Sequence, residues 1–387
     1  MTDKEYFNWL QKQQNNITED VQKAIDEQIR LGEIAREKQD QYYKLQDKEI
    51  ELLKIGGQKF FEKYPGEINI PENDMPIIDI IDGIIKQSLL TPQKNADVVS
   101  KMNEIPELKQ HGKMVNEIAQ SAYEYVQSFF ELETKIRQDR ENLFSQEYLD
   151  KMSQFADEGV LLYFLETPDM PLLDNELTTQ KIIDIFYYKE CATLQTLLYS
   201  IMQLRDASPS MKRKTDDIEI CLQLIIYGYS YNKDNNQGYF RTATRNLFAL
   251  LDNEHKKCAD VFEGIINKKK RYRTGLQRAN KIHKLIDDLN LKWENMVWDK
   301  INSFYKKINL SEKCIGVINR NSIVHGDYTF NEIDVSANDV MKLMLLWINM
   351  RLLADELCHI DEMLGIFLTY LPSIIKNEMN KCSSNLD

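Results

Sequence analysis

The chain reads as all-α, and three observations carry that reading. Its 387 residues include only 9 prolines and 14 glycines, few helix breakers for the length. Strict apolar–polar alternation, the mark of a half-buried strand, is scarce. No proline stands between Pro209 and Pro372, so long helices are expected there. Hydrophobic residues make up 43% and charged residues 28%, the balance of a globular protein long enough for two or three cores.

Taken in order, the first element is one long helix after Thr18, which suits an N-cap. Val21, Ile25, Ile29 and Ile34 mark its apolar stripe, and Gly56-Gly57 is expected to end it. It reads as a helix packed on one side or a short coiled coil. Residues 65–110 are broken by five prolines, with a short helix expected around Ile77–Leu90. Helix returns over 112–166, where Leu161-Leu162-Tyr163-Phe164-Leu165 should be core. Thr167-Pro168-Asp169-Met170-Pro171 is a plausible hinge. Further helices are expected over 177–206, 214–229, 240–266 and 274–307, then a short one from Ser311 to Gly326. A last helix starts after Ser336, with Asp339 as its capping partner. Four regions follow: a coiled-coil-like helix over 1–64, a helical accessory region over 65–175, a helical bundle over 176–371 and a tail over 372–387.

The net charge of −12 excludes a globally basic nucleic-acid coat but permits a local basic patch. Six cysteines contain no C-x-x-C pair, which argues against a zinc site and a secreted disulfide framework. The N-terminus lacks the layout of a signal peptide. The most apolar helix, Val340–Leu368, is interrupted by Lys342, Arg351, Asp355, Glu356 and Asp361 and reads as core, not as a membrane span. A reducing cytoplasm is the expected compartment.

The richest chemistry lies in Arg320-Asn321-Ser322-Ile323-Val324-His325, closed by Gly326. Histidine moves protons near neutral pH, and arginine offers five fixed donors to phosphoryl oxygens. The types suit metal-free RNA cleavage. His325 would take the 2′-hydroxyl proton or protonate the leaving oxygen. Arg320 would balance charge on the pentacoordinate phosphorus, and Asn321 would orient the imidazole or bond a phosphate oxygen. On a helix Asn321 and His325 share a face, whereas Arg320 is swung roughly 140° away. Either the helix end distorts or a second copy supplies the missing half. A salt-bridged surface arginine beside a helix-capping histidine is the non-functional alternative.

This stretch resembles the signature of the HEPN superfamily: Arg, then Asn, His or Asp, then three to five residues, then His. Arg320-Asn321-…-His325 matches the form with four intervening residues. The resemblance covers about 190 residues at most, and its specific part is six. It implies an α-helical bundle and a metal-independent endoribonuclease, with Arg320 and His325 of two copies meeting in a homodimer. It also implies a role in antiviral defence or as a toxin, with RNA as substrate and a regulatory protein or antitoxin as a further partner. No cofactor is expected. The small toxins of the family that are modified on a tyrosine two residues after the histidine differ here, since that position is Asp327. A single copy of the motif favours a homodimer over one chain with two half-sites. A non-catalytic nucleotide- or RNA-binding module, or a helical scaffold, is the competing reading.

Three other features are weighed. Asn267–Lys284 holds eight Lys/Arg and no acid. Lys268, Lys269, Lys270, Arg271, Tyr272, Arg273 and Arg278 would suit a single-stranded RNA track, or equally a solvated junction facing Asp287-Asp288. Glu356-x-x-His359 has di-iron spacing but no second copy, so it reads as a polar turn. His111, His255 and His283 stand alone, with surface or capping roles expected.

Overall fold

The computed structural model describes residues 19–64, 96–163, 177–203, 209–231, 236–271, 291–309 and 334–384, with positions 4, 8 and 287 besides. Among them every regular element is helical, and no strand occurs. The helices are α1 (Glu19–Lys63), α2 (Ala96–Asn103), α3 (Pro106–Leu143), α4 (Gln146–Asp157), α5 (Thr179–Gln203), α6 (Pro209–Ile226), α7 (Gln237–Arg271), α8 (Lys292–Ile308) and α9 (Ala337–Ser384). A π-helical turn, Tyr227–Tyr231, follows α6. The short helix expected at Ile77–Leu90, the Thr18 cap, the 167–171 hinge and the helix expected at 311–326 lie outside the described residues.

The chain forms two compact units, neither continuous in sequence: residues 1–27 with 134–361, and residues 28–133 with 362–387. The second unit centres on Leu53, Phe60, Met102, Ile105 and Leu108, against which Phe61, Tyr64 and Val98 pack. Tyr42 stacks on Tyr125 at 5.9 Å between ring centroids and meets Tyr370 edge-on.

Two expectations for α1, which has residues in each unit, are corrected. Gly56-Gly57 does not end the helix, which runs on to Lys63. A Cβ at Gly56 would sit 2.7 Å from Leu108 Cδ2, so the glycine marks a close approach of α3, not a stop. The stripe is also displaced. Ile25, Ile29 and Ile34 are exposed. The buried line is Val21, Ala24, Leu31, Ala35, Tyr42, Leu53 and Phe60, which at 100° per residue shares one face of α1. Two alanines on that face hide the signal, because the isoleucines outweigh them in hydropathy.

In the first unit α9 is central. From Val340 to Leu346 five of six apolar side chains are wholly buried and Leu343 nearly so, as for a helix enclosed by others. Its start follows the expected cap. Asp339 N–H donates to Ser336 Oγ at 3.1 Å, and Ser336 Oγ donates to Asp339 Oδ2 at 2.5 Å. The helix continues through Pro372, where a separate tail is expected. The helical stretch expected over 112–166 comprises α3, α4 capped by Ser145 and, from Glu158 to Tyr163, an irregular turn in place of helix. Gly159, at φ +88°, permits that turn. Leu161, Leu162 and Tyr163 are buried as expected, though not in a helix. Asn349 of α9, fully buried, donates to the Leu161 carbonyl at 2.9 Å and satisfies backbone the turn leaves open.

Candidate functional site

Arg320, Asn321 and His325 lie outside the described residues, as do Tyr272, Arg273, Arg278 and His283. Lys268, Lys269, Lys270 and Arg271 belong to the last turns of α7, their side chains outside the described set. Two other constellations in the first unit are built from described side chains.

The first is a buried ion cluster. Arg137 and Arg140, three apart on α3, share a face. Arg137 Nη2 lies 2.8 Å from Glu294 Oε1 on α8 and 3.0 Å from Glu356 Oε1 on α9. Arg140 Nη1 lies 3.1 Å from the same Glu356 oxygen. Arg137 and Glu294 are almost completely enclosed. Trp293 covers the cluster, with the Arg140 guanidinium 5.6 Å from its ring and Phe144 stacked on it at 5.2 Å. Burial, with the Glu356 carboxylate beside it, pushes the Glu294 carboxyl up to about 7. Burial also opposes ionisation of Glu356, but Arg140 and Arg137 outweigh it and hold that carboxyl below its ordinary value. The cluster ties three helices together and gives the unit one carboxyl that titrates near neutrality. Glu356 is thus engaged by two arginines and His359 is exposed, which accounts for the E-x-x-H spacing as a polar turn.

The isolated histidines divide. His111 is not at the surface. It is 1% exposed, in the second unit, with Nε2 2.9 Å from Glu49 Oε1. The helix pair α1–α3 encloses it because Glu49 supplies the polar partner a buried imidazole needs. His255 is half-buried, stacked on Tyr305 at 3.9 Å, with a ring nitrogen 3.2 Å from Asn302 Oδ1. Burial lowers its pKa. Among the described residues no group of three or more His, Cys, Asp or Glu is placed to hold a metal ion.

The second constellation is a tyrosine-walled groove of about 1070 Å³ between α5, α6 and the start of α7. Leu198 and Tyr199 of α5, Glu219, Ile220 and Gln223 of α6, Tyr227 of the π turn and Tyr239 of α7 line it. Two backbone irregularities shape its end. Gly228 is buried against Phe240, where a Cβ would come within 2.7 Å of Cε1. Around it the chain widens to a π turn, a form common at functional sites. That turn sets Tyr229 on Tyr187 at 4.0 Å and Tyr227 beside Tyr231 and Tyr239 at 5.6 and 6.1 Å. Opposite, α5 is kinked where Lys189, Glu190 and Cys191 take left-handed φ values of 43°, 56° and 63°. Each non-glycine residue in that region is strained. Tyr231 donates a hydrogen bond to the Glu190 carboxylate, and Gln195 donates to the Glu190 carbonyl at 2.7 Å. Burial pushes the Cys191 thiol up to about 12, so it is inert packing.

No protein-family model, curated protein or solved structure matches the chain. The two constellations therefore stand on their geometry alone. Sequence reasoning missed both. The ion cluster leaves only an Arg137-x-x-Arg140 pair as a local trace, since Glu294 and Glu356 arrive from far along the chain. The groove leaves Tyr227-Gly-Tyr-Ser-Tyr231, whose alternation has the look of a strand and not of a helical turn.

Proposed function

We propose that the chain is a metal-independent endoribonuclease that acts as a homodimer, in antiviral defence or as a toxin. The observation that carries this reading is Arg320-Asn321-…-His325, shortly upstream of the most apolar helix of an all-helical protein. His325 serves as general base or acid on the ribose 2′-hydroxyl and the leaving 5′-oxygen. Arg320 offsets the charge that builds on the phosphoryl oxygens, and Asn321 orients the imidazole. The basic run through Lys268, Lys269, Lys270 and Arg271, with Tyr272, Arg273 and Arg278, supplies phosphate contacts and one stacking ring. A regulatory protein or antitoxin is a fitting further partner.

The test is incubation of purified protein with total RNA, with and without EDTA. Cleavage that persists in EDTA and disappears in His325→Ala, with the helical circular dichroism unchanged, is expected. Cleavage unchanged in His325→Ala, or abolished by EDTA, defeats the reading. Binding without cleavage across many RNAs would favour a non-catalytic RNA-binding module.

A further inference from the structure

We propose that Glu294 and Glu356 share one proton and form a pH-responsive joint, which holds the start of α8 against α3 and α9 below neutrality and releases it above. Hydrogen-bond geometry points to the proton. Glu294 is 0% exposed, and neither of its carboxyl oxygens has an aligned hydrogen-bond donor among the described residues. Arg137 Nη2 lies 2.8 Å from Oε1, as an ion pair without that alignment. A carboxylate shut away from water without donors is strongly disfavoured. A carboxylic acid in the same place brings a donor of its own. The acceptor within its reach is the Glu356 carboxylate, which meets Glu294 at that same Arg137 nitrogen, 3.0 Å away.

The surrounding charges fix which acid holds the proton. Glu356 Oε1 accepts from both Arg137 and Arg140, so Glu356 stays ionised, and a second carboxylate against it would be repelled. With Glu294 neutral, the cluster carries two guanidiniums and one carboxylate. The excess positive charge falls to Arg140, its most exposed member at 24%, which also lies over the Trp293 ring. Neighbouring acids are engaged elsewhere. Asp139 of α3 pairs with Lys135 at 2.6 Å, and Asp355 of α9 lies 3.6 Å from Arg351. Tyr163, whose ring meets Trp293 edge-on, is kept protonated by burial. Burial and the Glu356 carboxylate raise the Glu294 carboxyl to about 7, so the proton leaves as pH climbs through that value.

Its departure acts on a weak point. Glu294 stands in the first turn of α8, and Leu291 at the N-cap makes no side-chain hydrogen bond to that turn. Helix ends are where backbone donors lack partners and where local opening starts. The turn is held by Glu294 and by Trp293 stacked on Phe144. When the proton leaves, the first of these holds becomes a repulsion between two carboxylates.

Trp293 reports the joint. Fluorescence of the full chain is followed from about pH 5 to pH 9, and the same titration of Trp293→Phe is subtracted. A single step centred near pH 7 is expected. Glu294→Gln keeps a donor toward Glu356 and does not titrate, so the step should vanish and the acid-side signal persist. Glu356→Gln removes the neighbouring carboxylate and should move the step down by about one pH unit or more. Amide hydrogen exchange at 292–295, corrected for its intrinsic pH dependence, should quicken severalfold above the step in wild type and not in Glu294→Gln. Circular dichroism checks the folding of each variant, and if Glu356→Gln fails to fold, the wild-type exchange and Glu294→Gln still decide. The proposal is overturned by a wild type without the step, by a step that persists in Glu294→Gln, or by one that Glu356→Gln leaves in place. A step without faster exchange at 292–295 also overturns it, because the proton would then be a static part of the core.

Discussion

Glu294 and its arginines show what single side chains decide here. Removing one partner from a buried ion pair leaves a charge uncompensated, at a cost of roughly 3–5 kcal/mol. Arg137→Ala should therefore lower unfolding stability by an amount of that order, read from the urea midpoint. Glu294 makes a pH prediction. Its folded-state value of about 7 lies above the ordinary 4.5, so the folded chain binds that proton more tightly than the unfolded one. Its contribution is fullest below about pH 4.5 and declines as pH rises toward 7, by an amount on the order of 3 kcal/mol. Glu356, held low, acts oppositely in a more acidic window, where its stabilisation is lost as pH falls through its depressed value. Urea unfolding of wild type at pH 5 and 8 should show the loss, and Glu294→Gln should largely remove it. A wild-type profile flat over that interval would contradict the assignment. None of this was legible in the sequence, where Arg137, Glu294 and Glu356 are three charges among many. What makes them special is that α3, α8 and α9 converge on one buried point.

At the scale of the element, proline and glycine placement located most helices well and their ends unevenly. The start of α9 was legible because its cap is local, with Ser336 and Asp339 three residues apart. The passage of α1 through Gly56-Gly57 was not, because the reason is Leu108 on another helix. The turn at 158–163 was hidden for a similar cause, since Asn349 satisfies its backbone from α9. Gly159→Ala should destabilise by about 1–3 kcal/mol. An alanine there is strained at φ +88° and its Cβ would lie 2.9 Å from the Phe304 ring. The α5 kink gives the opposite sign. Lys189→Gly relieves a left-handed lysine and should raise stability by up to about 1 kcal/mol. A melting temperature lowered by that substitution would show that the kink is not strained there.

At the scale of the whole molecule, the class was the most legible property. All-α follows from composition and periodicity, which are summed over the chain and insensitive to any one contact. The division into two units was less so, because each draws on segments far apart in sequence. No helix among the described residues is long and apolar enough to cross a membrane. The proposed function rests on the Arg320–His325 stretch, whose spacing is visible in the sequence while its three-dimensional setting lies outside the described residues. The homodimer reading predicts a dimer's mass in sedimentation for wild type and for His325→Ala alike, since the proposal gives the imidazole a role on RNA and none in assembly. The most direct measurement is of the bond broken. An RNA oligonucleotide is cut by the purified chain in EDTA, the cleaved linkage is mapped, and the same oligonucleotide is remade with one 2′-deoxyribose at that linkage. The account predicts that cleavage there stops while other linkages are still cut, because the nucleophile has been removed. Continued cleavage at the deoxy position would contradict it.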